Sequence, residues 1–159
     1  MPQYPWRLDD IHHIFINLEL DGQKVESYID TGATDSFISL KLARRLFKWR
    51  TDPPELLAHT ERVNNTVTTT YTYPFKSLSF EGVSVSNPEI TIGDELMKGE
   101  ARLVVGMNIL SKLHLYIDYK EKKLYATARD AKPPPGLSFA PNMSFATPET
   151  PQWPAPLKP

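Results

Sequence analysis

Residues 28–36 read Tyr28-Ile29-Asp30-Thr31-Gly32-Ala33-Thr34-Asp35-Ser36. Ahead of them, Ile14, Ile16, Leu18 and Leu20 alternate with Phe15, Asn17 and Glu19, the period-two pattern of a strand with one buried face. Asp21-Gly22 is a tight-turn dipeptide, and residues 24–29 return as a second strand, so a hairpin delivers Asp30 to its exit.

A carboxylate in such a place becomes useful for activating water when a second carboxylate lies so close that both cannot ionise. The pair then shares one proton, one member acting as base toward water and the other as acid toward a carbonyl. Gly32 permits a backbone conformation and a close approach that a Cβ would obstruct. Thr31 carries a hydroxyl able to donate and accept. Ala33 is small enough to leave room beside the acid. The tetrad Asp30-Thr31-Gly32-Ala33 occurs once, so if it is catalytic a second copy must come from another chain.

An isolated Asp-Thr-Gly merely closes a β-turn. Here it is followed by a short strand-like segment, Ser36-Phe37-Ile38-Ser39, and much later by Leu103-Val104-Val105-Gly106-Met107-Asn108-Ile109-Leu110 and Ile117-Asp118. In this order the pieces resemble the retropepsin-like aspartic proteases, the single-domain relatives of retroviral protease, over residues 10 to 128. The resemblance implies a mostly β fold, a closed acid-protease barrel with one or two short helices, active as a homodimer. It implies that Asp30 is catalytic and that Thr31, with Gly32 and Ala33, forms the active-site loop and the crosslink between subunits. It gives Val104, Val105 and Gly106 a supporting role behind that loop. The implied substrate is an extended peptide or protein held beneath a pair of flaps.

The remaining segments fill in the domain. Leu40, Ala43, Leu46 and Phe47 have helical spacing within residues 40–49, and Pro53-Pro54 is the expected stop. The Thr/Val/Tyr run from Val63 to Tyr73 reads as strand with Asn64-Asn65 as its turn. Further strands are expected over residues 77–85 and 89–92, making the middle an antiparallel sheet, with a helix of two turns over residues 107–113 and a last strand pair around Lys120-Glu121-Lys122. Family flaps carry glycine near the tip, whereas residues 60–70 contain none. A stiffer or differently shaped flap is expected, with Asn64 and Asn65 as candidate substrate contacts. Asp35 has two readings: it binds the substrate backbone or pairs with a base such as Arg7, or it is a solvated loop acid. Asp118 suits a structural hydrogen bond.

Nine of the fifteen prolines lie between Pro133 and Pro159. The division read from this is a lead-in over residues 1–9 that pairs with a partner chain or frays, a folded domain over 10–130, and an extended Pro-rich tail over 131–159. With formal charge -1 and pI near 6.4 there is no basic face for nucleic acid. No stretch approaches the ~18 apolar residues of a membrane span, and the first residues lack a signal-peptide layout, so a soluble protein is expected. Residues 103–126, particularly 113–117, are more similar to bacterial members of the family than to virus or retroelement enzymes, with cytoplasm and periplasm both open. There is no cysteine, and His12-His13, His59 and His114 show no ligand spacing, so neither metal nor cofactor is expected. A rival reading is a non-catalytic dimerisation or peptide-binding module of the same fold, its tail recruiting partners in extended form.

Overall fold

The computed structural model describes residues 4–5, 7–8, 14–80, 82–93 and 102–129. Strands β1 (Tyr4–Pro5) and β2 (Arg7–Leu8) precede the hairpin of β3 (Ile14–Leu20) and β4 (Gln23–Ile29). That hairpin is in register from Ile14↔Ile29 to Leu20↔Gln23. Asp21 and Gly22 have φ of 46° and 78°, the left-handed pair of a two-residue hairpin turn. The Asp21 carboxylate also accepts from the Lys76 and Ser77 amides, both at 2.8 Å, which ties the turn to a later strand. Ile14, Ile16, Leu18 and Leu20 are buried with Val25 and Ile29, as the alternation requires. Phe15 is buried too, on the opposite face.

Strand β5 (Ser36–Ile38) leads into helix α1 (Leu40–Leu46), with the Ser39 side chain capping the Leu42 amide. The helix ends at Leu46, well before Pro53-Pro54. Lys48 turns left-handed at φ 54°, and the Trp49 amide reaches back to the Arg44 carbonyl at 2.9 Å, a Schellman closure made without glycine. Next come β6 (Leu57–Val63) and β7 (Thr66–Thr72), joined by Asn64 and Asn65 at φ 49° and 63°. Both asparagines thus take up the left-handed conformations that glycine usually supplies. Strand β6 had no sequence signal, because it is exposed along its described length and carries no burial period.

Strands β8 (Ser77–Phe80), β9 (Val83–Ser86), β10 (Ile90–Ile92) and β11 (Leu103–Val105) follow. Helix α2 (Met107–Leu110) and the pair β12 (Leu113–Asp118) and β13 (Lys123–Ala128) complete the described chain. Helix α2 is a single turn, shorter than expected, because Leu113 is already committed to pairing with Ala128. Asp118 accepts from the Lys120 and Glu121 amides and holds the β12–β13 turn, the structural role foreseen for it.

The large sheet runs β6-β7-β10-β5-β11-β4-β3-β8-β9, with β2 on β3; a small sheet runs β1-β13-β12. The expectation of a purely antiparallel middle is corrected by two parallel pairs, β10 with β5 and β11 with β4. Both arise because strands far along the chain return beside the tetrad segment. The fully apolar Leu103-Val104-Val105, buried at every residue, suits a strand covered on both faces. The expected closed barrel is instead a curled half-barrel, an open path of strands with β6 and β9 at its ends. The backbone of Tyr4–Pro5 pairs with this chain's own β13. The tail over 131–159 lies outside the described residues. Among the described residues, no helix is long and apolar enough to cross a membrane.

Strand β11 is clamped at its exit. The Gly106 amide donates to the Ser36 hydroxyl at 2.9 Å, and that hydroxyl donates to Asn108 Oδ1 at 2.7 Å. The Asn108 amide group in turn donates to the Glu89 carbonyl at 2.8 Å. A Cβ on Gly106 would lie 2.2 Å from the Asp35 carbonyl oxygen and 2.9 Å from that of Ala33, so only glycine fits. Gly106→Ala should therefore cost at least about 3 kcal/mol in urea denaturation, the upper range for overpacking, because the obstructing atoms are backbone. Ser36→Ala removes a fully buried acceptor and should cost about 1–3 kcal/mol in the same measurement.

Candidate active site

Asp30 is the residue that follows β4. Its backbone amide donates to the Val105 carbonyl at 3.0 Å, continuing the parallel β4–β11 pairing in which Val105 faces Ile29. The chain then folds back on the side chain. The Gly32 amide donates to Asp30 Oδ1 at 2.9 Å, and the Ala33 amide to the Asp30 carbonyl at 3.3 Å. Gly32 is not left-handed, so of the two roles expected for it only close approach applies: a Cβ there would stand 3.2 Å from Oδ1. An amide donor on one carboxylate oxygen fixes the side chain's direction.

The loop is held from behind by α2. The Met107 and Asn108 amides donate to the Ala33 and Thr34 carbonyls at 2.8 and 2.9 Å. Asp30, Thr31, Gly32, Ala33, Val105 and Gly106 are thus joined into one unit by backbone hydrogen bonds and packing. Asp30 and Ala33 are half-buried, whereas Thr31 and Gly32 are exposed. Asp35 contributes its carbonyl to the packing on Gly106, and its side chain is exposed. The side chain of Arg7, the suggested partner, lies outside the described residues. Asn64 and Asn65 are apart from this unit, at the exposed tip of the β6–β7 hairpin. That hairpin joins the sheet through the pairing of Tyr71 with Ile92.

Two features escaped the sequence reading. Ser36 and Asn108 lock the loop to β11, and the available signal was parity: Ser36 shares the inward face of β5 with Ile38, where a buried hydroxyl requires a partner. The second is the wall beside the acid. Alternation along β4 puts Glu26, Tyr28 and Asp30 on one face. Across the strands, Tyr28 stands between Phe15 and Val104, and Val104 beside Phe37. The Phe15 and Tyr28 rings are 5.9 Å apart, and the Arg102 guanidinium lies 4.6 Å above Phe15 while bonded to Glu26 at 3.0 Å. Asp30 therefore sits at the edge of an apolar, largely aromatic row.

The site thus presents one carboxylate, oriented by an amide, on an exposed loop of small neutral residues. Comparison with known proteins agrees with that geometry. A family profile described as "gag-polyprotein putative aspartyl protease" matches residues 16–112. The crystal structure of a retropepsin-like aspartic protease from Rickettsia conorii is similar in fold, with a TM-score of 0.53 at 22% identity, covering 80% of this chain and 94% of that one. No curated protein sequence matches. The family match runs from within β3 to beyond α2 and takes in every part of the Asp30 loop, more than half of the sequence. On that evidence the chain belongs to the gag-polyprotein aspartyl protease family and has the retropepsin-like fold.

Proposed function

We propose that the protein is an aspartic endopeptidase whose active form is a homodimer, each copy supplying Asp30 to one dyad. The observation that carries this reading is the single Asp30-Thr31-Gly32-Ala33 loop, closed on its own carboxylate through the Gly32 amide and presented at the surface. Across a twofold axis like faces like. A neutral loop of Thr31, Gly32, Ala33 and Thr34 can meet its own copy without charge repulsion, and the two aspartates then relieve theirs by holding one proton between them.

In the proposed reaction the ionised member of the pair takes a proton from a water molecule as the water oxygen attacks the scissile carbonyl carbon. The protonated member gives its proton to the carbonyl oxygen, producing a neutral tetrahedral diol. Collapse of the diol breaks the C–N bond as the protonated aspartate gives its proton to the leaving nitrogen and the ionised one takes a proton from a diol hydroxyl, so the dyad ends singly protonated. Thr31 hydroxyls bond across the axis below the acids. Asp35 and the hairpin tip at Asn64 and Asn65 engage the substrate backbone, and the row of Tyr28, Val104 and Phe37 receives an apolar side chain. The hairpin without glycine motivated the non-catalytic reading. Its asparagines form an ordinary two-residue turn, which leaves the enzymatic reading the better supported.

Asp30→Asn keeps an oxygen for the Gly32 amide but cannot act as base, so cleavage of a peptide library should fall by at least about 10³-fold with the fold intact. Equal turnover by both proteins would remove Asp30 from the chemistry. Thr31→Ala should leave the monomer's denaturation midpoint nearly unchanged, since the residue is exposed, while raising the dimer dissociation constant about tenfold for each 1.4 kcal/mol lost. Sedimentation velocity reads that constant directly, and an active wild-type monomer at every concentration would overturn the dimeric mechanism.

A further inference from the structure

Behind the β6–β7 hairpin is a second feature that the proposed chemistry does not use. Four rings close on one another: Phe47 stacks on Trp49 at 5.5 Å, Trp49 meets Tyr73 at 4.9 Å, Tyr73 meets Phe75 at 5.0 Å, and Phe75 returns to Phe47 at 5.8 Å. Tyr73 is also one wall of an open groove of about 410 Å³, lined with it by Glu55, Leu57, Thr72 and Pro74. Leu57 is 58% exposed there and shares the groove with Tyr73.

The sequence also contains a periodic proline pattern. Pro148, Pro151 and Pro154 recur every third residue, followed by Pro156, Lys158 and Pro159. A polyproline II helix has three residues per turn, so these three prolines would share one edge. Such helices bind shallow aromatic grooves because little ordering entropy remains to be lost, and their free carbonyls accept hydrogen bonds from groove side chains. Burial, with the charges of Glu55 and Asp21, pushes the Tyr73 phenol above its ordinary range, so it stays a neutral donor. Glu55 offers a counter-charge for Lys158 at the far end of the segment from its one acid, Glu149. Reach is ample: the residues between Arg129 and Pro148 span roughly 60 Å when extended, against a radius of gyration of about 14 Å for a domain of this size.

We infer that the groove of Leu57, Tyr73 and Pro74 is a polyproline-binding site whose ligand is the Pro148–Pro159 segment of this chain. Leu57 and Thr72 are the first pair of the β6–β7 hairpin, so the bound segment braces the hairpin at its root.

The test uses the full chain labelled with 5-fluorotryptophan, in which Trp6, Trp49 and Trp153 give three ¹⁹F resonances, assigned with Trp153→Phe. The Trp153 resonance should differ from that of a synthetic peptide of residues 145–159. It should move to the free-peptide position in Leu57→Glu, whose exposed site leaves the fold unaffected. In a Pro148→Ala/Pro151→Ala/Pro154→Ala variant, the added peptide should shift Trp49 saturably, and Leu57→Glu in the same background should abolish the shift. A full-chain Trp153 resonance at the free-peptide position, one displaced but insensitive to Leu57→Glu, or no Trp49 shift at ~1 mM peptide would each overturn the inference. No arm depends on peptidase activity, so the result is independent of the proposed reaction.

Discussion

The contact between Gly106 and the Asp35 carbonyl governs the rest of the molecule. Three backbone segments meet there: the end of β4, the loop before β5, and the exit of β11. They approach so closely that a single methyl group would lie 2.2 Å from an oxygen. Because they do, the Val105 carbonyl can receive the Asp30 amide, and Met107 and Asn108 can bond the loop carbonyls. Asp30 stands at this junction, its amide bonded to the Val105 carbonyl. Here its position is set by backbone geometry shared among three elements and not by side-chain packing alone.

Polar groups complete the clamp. The Ser36 hydroxyl is both acceptor and donor, and it occupies a place in the interior where an apolar residue would leave the Gly106 amide without a partner. Asn108 extends the chain of bonds to Glu89, just ahead of β10, so the strand that carries the hairpin and the strand that carries the acid are linked. Networks of this kind are stiff when every member is satisfied.

Much of this could be read in the residues. The β3–β4 hairpin followed from alternation plus Asp21-Gly22, and so did the position of Asp30 at its exit. What could not be read has physical causes. Parallel pairing of β10 and β11 depends on chain segments distant in sequence, and local periodicity carries no record of them. The stop of α1 at Leu46 was hidden because the left-handed residue beyond it, Lys48, is a lysine, with the Schellman bond, not composition, paying for it. Strand β6 was missed because an exposed strand has no buried face to pattern. Ser36 looked like part of a strand, and only its neighbour from across the sheet explains why it is serine.

That exposed strand has a consequence for solubility. As an end of the large sheet, β6 has one edge whose amides and carbonyls take no strand among the described residues, a template on which another polypeptide can crystallise into a growing ribbon. His59, Glu61 and Arg62 lie along it, hydrophilic and ionic where an aliphatic run would invite fibrils. The very composition that made the segment invisible as a strand acts as its gatekeeper against amyloid.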